Sequence, residues 1–205
     1  MGVRPHDLLR LTTPNALEAV DAPDWAARSL AAAPWVVVRR AGLARGRIAV
    51  GVRGVSRAER FAAVVAEDAV AERLSPEDLR HHTPPRAHPA FAAMAQLGRT
   101  LDAIPLHWGP AGAAGYELAT GRPTLTPASD LDLVLRADGV PDRSALAAVS
   151  DAAARAPLRV DVVVETPAGA VALDELLGDP AEVLLRTPQG PRLASPDELW
   201  VAAPC

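Results

Sequence analysis

Two carboxylates stand two residues apart in Ser129-Asp130-Leu131-Asp132-Leu133-Val134-Leu135, a segment whose other members are mainly large aliphatics. On a strand, residues i and i+2 share a face, so Asp130 and Asp132 project together. Neighbouring carboxylates repel unless something positive lies between them, and a divalent metal held by oxygen ligands is the usual solution. A pair of acids at a solvated strand end is the plainer alternative. A third acid, Asp161, lies in Arg159-Val160-Asp161-Val162-Val163-Val164-Glu165, with Glu165 on its face. An acid flanked by core valines is costly unless it is paired or bound.

Upstream of the first pair, the segment Trp108 to Gly121 is punctuated by glycines at 109, 112, 115 and 121. A strand, a glycine turn and a short helix there place bare backbone N–H groups and a positive helix end where a polyphosphate can approach closely. An ordinary flexible loop is the competing reading. Three acids on two strands beside a glycine turn form the constellation needed for two-metal phosphoryl or nucleotidyl transfer, in which cations about 3.5 to 4 Å apart clamp the attacking and leaving oxygens. That chemistry requires the three acids to converge beside Gly112.

The elements that must position these residues follow from periodicity and punctuation. Arg80 to Pro89, with its three histidines and three prolines, can hardly continue a helix or a central strand and predicts a linker over 80–89. Before it, a first domain over 1–82 contains an alanine-rich helix from Asp24 to Ala33. Two β-branched strands follow, Trp35 to Arg40 and Arg47 to Arg53. After it, a second domain over 88–205 opens at Pro89 with a helix carrying Ala90, Met94, Leu97, Leu101 and Ile104 at helical spacing. Strand Leu131–Leu135, helix Asp142–Ala156 and strand Arg159–Thr166 then alternate. The expected class is α+β: a small amino-terminal α/β domain, then a mixed sheet with flanking helices.

Composition narrows the partners. The chain has 205 residues and a net charge of −4, which argues against non-specific binding to nucleic acid or an anionic membrane. All 21 basic residues are arginine, so lysine Schiff-base and P-loop lysine chemistry are excluded. The single cysteine, Cys205, offers neither a disulfide framework nor a thiolate zinc site, and a reducing cytoplasm is the expected location. Residues 1–11 lack the apolar run of a signal peptide, and no stretch reaches the roughly 18 residues of a membrane span. His81, His82 and His88 read as solvated linker residues, and the four tryptophans as core or interface residues.

The glycine turn followed by Asp-x-Asp, with a later Asp on another strand, resembles the nucleotidyltransferase superfamily of the DNA polymerase β type. More closely, the chain resembles the malonate decarboxylase holo-acyl-carrier-protein synthases, a family of phosphoribosyl-dephospho-CoA transferases. The resemblance runs through His6 to Leu9, Pro34 to Ala41, Val50 to Gly54, Gly109 to Gly121, Ser129 to Leu133, Arg186-Thr187 and Gly190 to Leu193. It implies a two-domain enzyme that moves a CoA-like group from its triphosphate precursor, 2'-(5''-triphosphoribosyl)-3'-dephospho-CoA, onto a serine of the apo acyl carrier subunit of malonate decarboxylase, releasing pyrophosphate. Asp130 and Asp132 match the family's metal acids, and Asp161 matches the third carboxylate of the superfamily.

The resemblance further implies that Mg²⁺ bridges the phosphates and that Asp161 helps deprotonate the carrier serine. Gly112 and Ala113 would present backbone N–H groups to phosphate. Arg39, Arg53, Arg186 and Arg192 are the arginines expected to hold the triphosphate. The family turn usually reads Gly-Ser where this chain has Gly112-Ala113, so one hydroxyl contact is expected to be missing. Two rival readings stay open on sequence: a nucleotidyltransferase with another acceptor, and a non-catalytic carrier-docking protein of the same fold.

Overall fold

A computed structural model describes residues 2–56 and 58–201, so Cys205 lies outside the described residues. The chain divides into two units, residues 1–76 and 77–205.

In the first unit, strands β1 (Leu8–Leu11), β2 (Leu17–Glu18), β3 (Trp35–Val38), β4 (Arg47–Arg53), β5 (Arg60–Ala66) and β6 (Val70–Leu74) form one antiparallel sheet in the order β2-β5-β4-β3-β1-β6. Alternation explains it: Ile48, Val50 and Val52 point to one side, where they meet Leu9, Leu11, Val36, Val38 and Val65. Helix α1 (Asp24–Ala32) lays Ala26 and Leu30 on that core. Asp7, fully buried, ion-pairs with Arg73 at 2.7 Å and accepts the Arg4 amide at 2.8 Å.

Helix α2 (Pro76–Leu79) begins at the division between the units. In the second unit, α3 (Pro89–Leu101), β7 (His107–Pro110), α4 (Gly112–Thr120), β8 (Leu131–Arg136), α5 (Arg143–Ala154), β9 (Val160–Thr166), β10 (Gly169–Ala172), α6 (Leu173–Leu177), β11 (Val183–Thr187) and β12 (Gly190–Ala194) follow in order. The strands build a mixed sheet, β12-β11-β10-β9-β8-β7, in which β8 and β9 are parallel and α5 supplies the crossover that a parallel pair requires. The α+β expectation and the mixed sheet of the second domain are therefore what the chain forms; the first unit, expected as α/β, instead pairs all its strands antiparallel, because short turns return β3 to β4 and β4 to β5.

The division falls ahead of the expected linker, and the 80–89 stretch belongs to the second unit. Side chains hold it there: Arg80 pairs with Asp102 at 2.7 Å and lies 5.3 Å from the centroid of a Trp108 ring. His82 Nδ1 lies 3.4 Å from the Leu118 carbonyl. His88, at the N-cap of α3, accepts the Ala90 amide on Nδ1 at 3.1 Å. The histidines are thus structural contacts, because prolines that forbid regular structure still leave side chains free to anchor the chain.

Register separates the two faces of the second sheet. Trp108, Leu135, Val164 and Val171 lie side by side and are all buried, with Gly98 of α3 close to the Trp108 ring. Asp132, Asp161, Arg136, Glu165 and Arg186 point to the other face.

Candidate functional site

The site is built where β7 ends and α4 begins. Ala111 donates its amide to the Asp132 carbonyl at 2.9 Å, which locks the turn to the start of β8. Gly112 then takes φ +55°, and a Cβ on it would overlap the Asp132 carboxylate. Only glycine meets both demands at this point. Asp132 therefore leans into the glycine turn, beside the amino-terminal end of a nine-residue helix.

Glu117 fixes that helix from behind. Its fully buried carboxylate accepts Arg86 Nε at 2.6 Å, Arg86 Nη2 at 3.1 Å, the Thr124 amide at 2.7 Å and the Leu125 amide at 2.8 Å. Thr124 donates its hydroxyl to the Ala113 carbonyl at 3.0 Å. The excursion over 121–126 is thereby tied to the first turn of α4. Burial pushes the Glu117 carboxyl up, but the Arg86 hydrogen bond and the Leu125 and Thr124 amides outweigh it and hold it below the ordinary range.

Asp132 and Asp161 are direct partners in the parallel pair of β8 and β9, so their side chains emerge next to each other on one face. Asp130 precedes them by one step on that face. Asp132 and Asp161 are thus neighbours, yet the three acids form no closed cage: among the described residues, no group of three His, Cys, Asp or Glu is placed to hold an ion by itself. Arg159 lies among the acids, and its Nε donates to Asp161 Oδ1 at 2.9 Å. That hydrogen bond, the Asp161 charge and the charges of Asp130 and Asp132 raise the Arg159 guanidinium above its usual range. Sequence reading passed over Arg159, although its i, i+2 spacing to Asp161 was the available signal.

Such a donor set suits Mg²⁺, which is bound through one or two carboxylates plus substrate phosphates and waters more often than by an all-protein cage. The room that Gly112 leaves for Asp132, and the register that sets Asp161 beside it, are the features that fit.

The expected arginines divide. Arg186 shares the acid face: Arg136, Glu165, Ala170 and Arg186 lie in one row across β8 to β11. By strand geometry, Arg186 stands roughly 13 Å along the strands and about 10 Å across them from Asp161. Arg192 pairs in register with Leu185, which is buried on the opposite face, and its guanidinium is engaged by Glu198 at 2.8 Å. The structure does not bring Arg192 to the acids, because a one-residue step along a strand reverses the face. Arg39 and Arg53 belong to the first unit, where the Arg39 stem lies against Gly51 and the Arg53 carbonyl accepts Ser29 Oγ.

The sequence matches two family profiles: "Phosphoribosyl-dephospho-CoA transferase MdcG N-terminal domain" over residues 4–76, and the corresponding MdcG C-terminal domain over residues 74–197. The profile junction coincides with the division between the units. Proteins named phosphoribosyl-dephospho-CoA transferase are similar over nearly the whole length. One from Pseudomonas putida (strain W619) is 46% identical over 193 residues, covering 94% of this chain and 93% of the relative. One from Azotobacter vinelandii is 43% identical over 205 residues, covering 98% and 96%. One from Pseudomonas aeruginosa is 40% identical over 194 residues, covering 94% and 92%. No solved structure matches. Among the described residues, no helix is long and apolar enough to cross a membrane.

Proposed function

This chain belongs to the MdcG family of phosphoribosyl-dephospho-CoA transferases, and from that premise we propose that it loads the apo acyl carrier subunit of malonate decarboxylase, in the cytoplasm, with its prosthetic group. The donor is 2'-(5''-triphosphoribosyl)-3'-dephospho-CoA. The carrier's serine oxygen attacks the α-phosphorus; a new P–O bond forms, the bond to the bridging oxygen of the β-phosphate breaks, and pyrophosphate leaves with the electron pair.

The observation that carries this reading is the register pair Asp132 and Asp161 beside the Gly112 turn. Asp130, Asp132 and Asp161 would hold Mg²⁺, which when bound neutralises phosphate charge and steadies the leaving oxygens. The amides of Gly112 and Ala113 face the phosphates at the start of α4, and the helix dipole favours negative charge there. Asp161 takes the serine proton. Arg186, exposed on the acid face, binds the distal part of the long donor. The nucleophile belongs to the carrier, so what this chain supplies at the site is acids and amides.

The test is direct. Purified chain, apo carrier and triphosphate precursor are mixed with Mg²⁺, and the carrier's mass and the released pyrophosphate are measured. Mass gain on the carrier serine with equal pyrophosphate supports the proposal. A carrier whose mass is unchanged overturns it.

A further inference from the structure

Arg159 occupies a place that neither the family resemblance nor the reaction scheme above assigns. The Leu131 amide donates to the Arg159 carbonyl at 2.9 Å, and Leu131 pairs with Val160 and Asp132 with Asp161. Arg159 therefore lies across from Asp130, on the acid face, and the four residues make a square with three negative corners and one positive. Its Nε donates along its own strand to Asp161 Oδ1, at 2.9 Å. The Arg159 side chain is 72% exposed and that of Asp161 41%, so the guanidinium is held by charge and by one hydrogen bond, with little packing to resist its departure. An exposed pair of this kind is weak and exchangeable.

A guanidinium on Asp161 and a divalent cation on the same carboxylate repel each other. A triphosphate arriving with the cation offers the displaced guanidinium a better partner, since a planar fork of N–H donors matches phosphate oxygens. We propose that Arg159 is a phosphate-binding residue that doubles as the resting counter-ion of the acids: it pairs with Asp161 while the site is bare and turns to a phosphate oxygen of the donor when cation and triphosphate bind. This rests on the reading that Asp132 and Asp161 take a divalent cation.

The test uses the full chain, with Mn²⁺ as the cation and inorganic tripolyphosphate as the phosphate probe. Free Mn²⁺ is followed by electron paramagnetic resonance for wild type and Arg159→Gln, and tripolyphosphate binding in saturating Mn²⁺ by calorimetry. Arg159→Gln is expected to bind Mn²⁺ roughly three- to tenfold more tightly, because its competitor is gone. It is expected to bind tripolyphosphate about tenfold more weakly, because a charge-assisted contact is lost. If either affinity is unchanged, the dual role is overturned. If neither protein binds Mn²⁺, the cation reading itself fails and takes this proposal with it.

Discussion

The bare Cα of Gly112 lies against the carboxylate of Asp132, at a backbone angle of φ +55°. Turn and acid thus occupy space that only a missing side chain leaves open. Gly112→Ala is expected to lose about 1–2 kcal/mol in urea unfolding, from the left-handed backbone alone. It is also expected to lose roughly 100-fold in turnover, because Asp132 must move to admit the methyl group. Wild-type carrier loading by Gly112→Ala would contradict the placement.

Asp132→Asn and Asp161→Asn keep shape and remove charge. Each is expected to lower carrier loading by roughly 10²–10³-fold, the scale of losing one preorganised electrostatic element, with unfolding midpoints close to wild type. A variant that loads carrier at the normal rate would remove that acid from the site.

Arg186 and Arg192 are six residues apart and face opposite ways. Arg186→Gln is expected to raise KM for the triphosphate precursor about tenfold, with kcat little changed, as for loss of uniform binding. Arg192→Gln is expected to leave KM alone and to lose at most about 1 kcal/mol of stability with its exposed Glu198 pair. Steady-state kinetics on the two variants side by side distinguishes them, and the reverse pattern would refute the register.

The Glu117 carboxyl is lower in pKa in the folded chain than in the unfolded one. Such a group adds stability above its unfolded value, and that stability is lost as pH falls through the folded value. Urea midpoints are therefore expected to fall as pH drops below about 4.3, the ordinary glutamate value. Glu117→Gln should show a shallower slope in that window and cost on the order of 3 kcal/mol near neutrality, since Arg86 loses its charged partner. An unchanged slope would show that Glu117 does not govern the acid limb.

Much of this was legible in sequence wherever large aliphatics alternate or recur. Arg47 to Arg53 and Leu131 to Leu135 announce strands, and Pro89 onward announces a helix, because the side chains that fill the core also set the period. Strand β5 was silent because its alternation is carried partly by alanines, and β6 because Ala71, Glu72 and Arg73 give a polar edge no apolar signature. The acids themselves were readable, as was the glycine turn. Their pairing was not: the register of a parallel pair is set by a distant crossover, so nothing local announces that Asp132 meets Asp161 and Asp130 faces Arg159. The opposed faces of Arg186 and Arg192 needed only the parity of the hairpin turning at Pro188-Gln189. The anchoring of 80–89 was hidden because the partners of Arg80 and Arg86 lie far along the chain.

The interval between Asp132 and Asp161 is inherited from the pitch of a hydrogen-bonded ladder, while everything joining them passes through α5 and the exposed loop around Gly139. While α5 keeps Leu146 and Val149 in the core, the exposed loop is free to drift in length and composition over generations, or to accept a grafted peptide at Gly139, and the spacing of the two acids stays as the backbone alone dictates.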